Sequence, residues 1–394
     1  MSKLEELIKQ FCPDGVEYRT IGGDEPLCDI RTGKINANAA KIDGAYLFFT
    51  CDANPYRIDT YAFDTDALLI SGNGSKVGHL HDYCGKFNAY QRTYVLDNFD
   101  KTIYKRFMYH YLNAYLRPYI EIHSKKGSIP YVTLPMLENF EIPVPPLPVQ
   151  KEIVGILDKY TELEQELEQE LELRKKQYEY YRDKMLALED YDGEVEEVSL
   201  GTVARISRGG NFQKKDFVSD GKPCIHYGQI YTRYGLSTDT SLTSVNEEVW
   251  NKSKKAKKGN IVMAVTSENY DDVCKCVVWE GDEDAAISGH TAIIDHDIDA
   301  HYLAHYFNTS HFYEQKLKIA HGTKVIEVTP AALNDIIIKI PKDIDEQTRI
   351  ANLLDGFEKL VADISEGLPA EIRMRHQQYE YYRDKLLSFK RKEM

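Results

Sequence analysis

Apolar residues recur through 153–188 in helical steps: Ile153, Leu157, Tyr160, Leu163, Leu167, Leu171, Tyr178, Tyr181, Met185 and Leu188 stand three, four or seven positions apart. A narrow apolar seam on an otherwise charged segment is the pattern of helices that pair. The rhythm returns at Ile350, Leu354, Phe357, Val361, Ile364, Leu368, Ile372, Tyr379, Tyr382, Leu386 and Phe389, one four-residue step longer. At about 1.5 Å per residue, a segment of roughly 40 residues predicts a spacer rod of about 60 Å. In the first rod Thr161-Glu-Leu-Glu, Gln165-Glu-Leu-Glu and Gln169-Glu-Leu-Glu form a tandem tetrapeptide. Four residues exceed one turn, so the repeated face drifts by about 40° per repeat. In the second rod Gly367-Leu368-Pro369 predicts a break with a fresh helix start near Pro369, because proline removes a donor and suits a first turn.

The two rods belong to a duplicated chain. Gln177–Leu186 (QYEYYRDKML) recurs as Gln378–Leu387 (QYEYYRDKLL) with a single change. Upstream, Ile142-Pro143 with Gln150-x-x-Ile153-x-x-x-Leu157-Asp158 returns as Ile340-Pro341 with Gln347-x-x-Ile350-x-x-x-Leu354-Asp355. His110-Tyr111-Leu112-Asn113 pairs with His305-Tyr306-Phe307-Asn308, and Arg92-Thr93 more weakly with His290-Thr291. The order is globule, helix, globule, helix, with boundaries at 1–146, 147–191, 192–343 and 344–394.

Within the globules, Ala67–Ser71 and Val262–Ser267 read as strands that end in polar loops, and helices follow over about Ile103–Tyr119 and Ala300–Lys318. The fold class is α/β (α+β), with no sheet order assigned: two similar globular domains joined by two long paired helices in an internal repeat, an order that an antiparallel helix pair with a pseudo-twofold can accommodate.

Composition adds limits. The apolar runs fall far short of the roughly 18 residues a membrane span needs, and MSKLEELIKQ lacks a signal-peptide profile, so the expectation is a cytoplasmic protein without membrane contact. Seven cysteines without framework spacing fit reduced thiols. The net charge of −14 argues against a nucleic-acid partner until it is located. Residues 151–197 hold 7 Lys/Arg and 16 Asp/Glu, a net of −9, which leaves −5 on the rest of the chain.

Catalytic constellations are not legible. Gly72-Asn73-Gly74-Ser75-Lys76-Val77-Gly78 fits neither phosphate-loop pattern and reads as a turn or a DNA-facing loop. Asn54-Pro55-Tyr56 lacks the second proline of the amino-methyltransferase motif, and Pro13-Asp14 with Glu17-x-Arg19 is a distant echo of a nuclease motif. Cys274-x-Cys276 and His79-x-His81 are two-ligand fragments where a structural zinc site needs four, so buried thiols and surface imidazoles are expected. No metal site and no cofactor site are assigned.

What stands out is a set of basic and amide-rich loops on both globules. In the first these are Lys76, Gln91, Arg92, Lys125 and Lys126. In the second they are Arg208, Asn211, Lys214, Lys215, Lys254, Lys255, Lys257, Lys258, His290 and Lys324. Lys and Arg neutralise phosphates, whereas Arg, Gln, Asn and His also hydrogen-bond base edges. Tyrosine is overused, 28 against 14 Phe and 2 Trp, which suits interfaces. Tyr178, Tyr181, Tyr379 and Tyr382 lie on the helix seams; Tyr180 and Tyr381 fall off them and are candidates for partner contact.

The Ile142-Pro-x-Pro-Pro-Leu-Pro-x-Gln150-x-x-Ile153 entry, the Glu-Leu-Glu repeats and the doubled Gln-Tyr-Glu-Tyr-Tyr-Arg-Asp-Lys tail resemble the specificity subunits of type I restriction-modification systems. The resemblance covers essentially the whole chain. It implies that each globule recognises one half of a split double-stranded DNA sequence, that antiparallel rods fix the gap, and that the subunit is not an enzyme. It also implies two docked methyltransferase subunits carrying S-adenosylmethionine, and restriction subunits using ATP and Mg. The alternatives are an adaptor whose paired helices organise proteins without touching DNA, an enzyme with degenerate motifs, and the specificity subunit of a related type II or methyltransferase-only system.

Overall fold

The computed structural model describes residues 3–124, 130–362 and 367–393. The chain divides into two units: Met1–Gln165 with Met374–Met394, and Glu166–Arg373. No helix among the described residues is long and apolar enough to cross a membrane.

The first unit is built on a six-stranded sheet. In spatial order its strands are Asp29–Thr32, Thr93–Asp97, Phe63–Ser71, Leu80–Ala89, Tyr46–Phe49 and Tyr56–Ile58. Thr93 donates its hydroxyl to the Phe49 carbonyl at 3.2 Å although two strands lie between theirs in the ladder, so the sheet curls onto itself. The run Ala67-Leu68-Leu69-Ile70 is apolar throughout because both faces of the strand are buried. Leu68 and Ile70 join the core under the helix Lys105–His123, with Phe107, Leu112 and Leu116, whereas Ala67 and Leu69 pack with Phe49, Phe63 and Phe87 inside the curl.

The second unit repeats the plan. Ile261 and Met263 face one core with Tyr302, Leu303 and Phe312, while Val262 and Ala264 face another with Trp279 and Ile287. Its strands form two five-stranded sheets and two two-stranded ones. Of the segments expected as strands, Ala67–Ser71 extends back to Phe63, and Val262–Ser267 is divided into Ile261–Ala264 and Thr266–Ser267. The single helix expected over Ala300–Lys318 is two helices, Ala300–Tyr306 and Ser310–Ile319. The Thr309 hydroxyl accepts from the Phe312 N–H, a side-chain cap that begins a new helix where the apolar pattern alone runs on.

Leu147–Ala187 is one helix of 41 residues whose first part, to Gln165, belongs to the first unit and whose remainder belongs to the second. The other rod comprises Ile344–Ala362 and Gly367–Leu386. The expected fresh start is present, with Gly367 in the left-handed region at φ 71° and Pro369 in the first turn. Within the first unit the pairing is antiparallel: Tyr160 stacks on Tyr382 at 5.5 Å, and four residues further on Glu164 meets His376 at 2.7 Å. Within the second, Tyr181 stacks on Phe357 while Leu186 packs with Ile350 and Leu354. Leu163 departs from the seam and is largely exposed, as the drift of the tetrapeptide repeat requires.

The doubled motif residues form the joint between each globule and its helix. Gln150 is fully buried; its amide accepts from the Tyr104 N–H at 2.7 Å and donates to the carbonyls of Pro145 (2.6 Å) and Thr102 (2.8 Å). Gln347 accepts from the Asp299 N–H at 3.0 Å and donates to the Pro341 carbonyl at 2.7 Å. His110 meets Asp158, and His305 meets Asp355, each at 2.8 Å.

Candidate functional site

The loops that follow the central strands sit in the same backbone frame in both units. In the first, the Gly72 N–H donates to the Arg92 carbonyl, the Val132 N–H to the Gly72 carbonyl, and the Gly33 N–H to the Thr93 carbonyl. In the second, Val265 donates to His290, Val328 to Val265, and Gly209 to Thr291. Gly33 and Gly209 have the same reason to be glycine: a Cβ would fall 1.8 Å from the Ala89 carbonyl oxygen in one case and 2.1 Å from that of Ser288 in the other. The frame is main chain throughout, so the side chains of Arg92 and His290 occupy matching positions and are exposed.

In the first unit this frame opens a groove of about 280 Å³ lined by Gly72, Asn73, Gln91, Arg92, Tyr94 and Tyr131, with Val132, Thr133 and Leu134. Gly72 lets it exist, since a Cβ there would meet the Arg92 carbonyl oxygen at 2.2 Å. The Tyr94 hydroxyl is tied to the Val132 carbonyl at 3.2 Å and holds one wall. Gln91 and Arg92 are exposed, and neither side chain hydrogen-bonds or pairs among the described residues. Lys76 is exposed on the turn that begins at Gly72. Lys125 and Lys126 lie outside the described residues.

In the second unit, buried Val265 stands where the first has Gly72, and an aromatic group shapes the face instead. Tyr227 lies 5.0 Å from the His290 ring and 4.5 Å from that of His226. His226 is pushed down to about 4 by burial, then by the charges of Lys214 and His290, so it is neutral at neutral pH. Asn211 and Lys214 border this group: Gly289 approaches the Asn211 side chain, and Gly210 lies against the Lys254 backbone. Lys214 and Lys215 are exposed on a single turn, Lys214–Asp216. Arg208 is committed to structure, donating to the Gly289 carbonyl at 3.0 Å and pairing with Glu327 at 2.7 Å, so it braces the His290 loop. Lys324 is exposed on the loop that leads to Glu327.

The lysine cluster is divided. Lys254 is exposed and without an ion pair among the described residues. Lys255 lies over the Trp250 ring at 4.2 Å, and Lys258 pairs with Asp282 at 2.7 Å. Lys257 and Lys258 precede the strand Ile261–Ala264, whose far end carries the His290 loop, so the structure separates them from Asn211, Lys214 and His290.

Sequence reasoning placed Asn73 in a candidate DNA-facing loop without singling it out, and it missed Tyr131 in the first groove and His226 and Tyr227 in the second face. The signals available were the polar Gly72-Asn73 turn and aromatic residues beside loops, which a charge-based search does not weigh. Cys274 and Cys276 are core residues; burial pushes the Cys274 thiol up to about 12 and that of Cys276 higher still. His79 and His81 stack edge to face at 4.7 Å, and burial lowers both. Tyr178 and Tyr379 pack into the cores, while Tyr180 and Tyr381 are 62% and 63% exposed at equivalent rod positions.

The chain matches the type I restriction modification DNA specificity domain over residues 13–173 and again over 192–374. It is 33% identical to the Escherichia coli type I restriction enzyme EcoR124I/EcoR124II specificity subunit across 79% of this chain and 77% of that one. Its fold is similar to the S subunit of a type I restriction-modification system from M. genitalium, with a TM-score of 0.53, 15% identity and coverage of 94% and 95%. A second fold neighbour, from work on complex assembly and conformational transition of the type I R-M system, has a TM-score of 0.57 and 16% identity, with coverage of 95% and 98%.

Proposed function

The chain belongs to the type I restriction modification DNA specificity family, and from that premise we propose that each of its globular units reads one half of a bipartite double-stranded DNA target. The observation that carries this reading is the repeated main-chain frame holding different exposed side chains, Gln91 and Arg92 in one unit and Asn211 and His290 in the other. Arginine, amide and imidazole groups offer the hydrogen bonds that discriminate base edges, and exposed lysines such as Lys76, Lys214, Lys215, Lys254 and Lys324 supply phosphate contacts. Because the two sets differ, the two half-sites differ.

The paired helices then set the gap between half-sites. Tyr180 and Tyr381 are the proposed contacts for two methyltransferase subunits, which restriction subunits join. The chain itself is a non-catalytic recognition subunit of the cytoplasm. S-adenosylmethionine belongs on the methyltransferase partners, and ATP and Mg on the restriction subunits.

The test is co-expression with the methyltransferase partner and genome-wide mapping of modified bases. A split motif is expected, one half changing when residues 192–343 are exchanged for another recognition globule. Deleting Gln165–Glu168 removes about 6 Å of helix and is expected to change the gap while keeping both half-sites. A stable complex that leaves every base unmodified would favour the adaptor instead.

A further inference from the structure

The joint between globule and helix is built twice, and the two versions carry different charge. In the first, Arg106 pairs with Asp158 at 2.9 Å and with Asp82 at 3.4 Å, and His110 completes the group on Asp158. In the second, His301 takes the place of Arg106, bonded to Asp355 at 2.7 Å and to Glu280 at 3.0 Å. The position of Thr161, whose hydroxyl bonds back to the Leu157 carbonyl in the first joint, is held by Glu358 in the second. A guanidinium that is always charged has been exchanged for an imidazole, and a carboxylate has been added.

The Glu358 carboxylate is half-buried and has no hydrogen bond or ion pair among the described residues. Ligand atoms of His305, Asp355 and Glu358 all lie within 4.8 Å of one another. His305 Nε2 and Asp355 Oδ1 are hydrogen-bonded at 2.8 Å and need part by only about 0.6 Å to reach the roughly 3.4 Å that separates two donors on a tetrahedral ion with bonds of about 2.1 Å. Neighbouring side chains can support these three. Tyr178 Oη lies 3.0 Å from His305 Nδ1 and can fix the ring, while His301 orients the Asp355 carboxylate.

We propose that His305, Asp355 and Glu358 bind one divalent transition-metal ion, with zinc the best match to one imidazole and two carboxylates, and solvent at the fourth position. The ion ties the helix Ala300–Tyr306 of the globule to the helix Ile344–Ala362, and it stabilises the second unit by mass action.

The test uses the full chain, freed of metal by a chelator and titrated with Zn²⁺, then with Co²⁺ as a spectroscopic probe. One equivalent is expected to bind with a rise in melting temperature, and Co²⁺ is expected to give the intense visible bands of a four-coordinate site. Glu358→Thr, which installs the residue of the first joint, should weaken binding at least tenfold while leaving the circular dichroism of the metal-free protein unchanged. Failure to take up one equivalent overturns the proposal. Uptake that Glu358→Thr leaves intact overturns it too, since the metal then sits elsewhere.

Discussion

Gly72 gives its backbone N–H to the carbonyl of Arg92 at 2.9 Å, and this contact leaves the arginine side chain with no structural duty. Under the proposed function Arg92→Ala should cost the first half-site about 1–3 kcal/mol, roughly 5- to 150-fold in affinity, with the second half-site read as before. Gly72→Val should do more, because a Cβ there collides with the Arg92 carbonyl and fills the groove. Competition binding with oligonucleotides altered in one half at a time measures both. Equal losses at the two halves would contradict the assignment.

The lysines of the second unit should not contribute equally. Lys254 is unpaired among the described residues and borders the Gly210 loop, whereas Lys258 is held by Asp282 away from it. Lys254→Ala is expected to reduce the slope of log affinity against log salt by about 1, the contribution of one phosphate contact. Lys258→Ala should leave the slope unchanged, and titrations at several salt concentrations distinguish the two.

Gln150→Ala should strand the Tyr104 N–H and the carbonyls of Pro145 and Thr102 inside the first joint. A buried polar group left unsatisfied costs about 1–3 kcal/mol, so a loss of about 2–4 kcal/mol is expected in urea unfolding. Gln347→Ala should act in the same direction on the second joint, where Asp299 and Pro341 lose their partner.

Acid should weaken the second unit through His226. Its ordinary value of 6.5 falls to about 4 in the folded chain, chiefly through burial. The unfolded chain therefore takes up a proton at a pH where the folded one does not. The stabilisation is complete above 6.5 and is lost as pH falls from 6.5 towards 4. His226→Gln should flatten that part of the stability curve, measured by thermal melts across the range.

Much of the architecture was legible because it is periodic or repeated. Helical spacing located both rods, and the doubled Gln, His and Asp positions marked joints whose geometry repeats. Pro369 marked the helix restart for a stated steric reason. The interruption at Thr309 was not legible, because a side-chain cap overrides an apolar pattern that continues through it. The candidate site was legible only in outline. Lysine density marked 252–258, but whether each lysine is available depends on Trp250 and Asp282, which meet it only after folding. Tyr131 and Tyr227 carry no charge, and nothing short of the fold brings them beside Arg92 and His290.

Arg92 and His290 meet the matching loops through their peptide carbonyls, which every residue type carries alike. Substitution at 92 or 290 therefore leaves the scaffold's own hydrogen bonds untouched. Under the proposed function, a lineage of such chains could change what it reads one residue at a time on an unaltered main-chain frame.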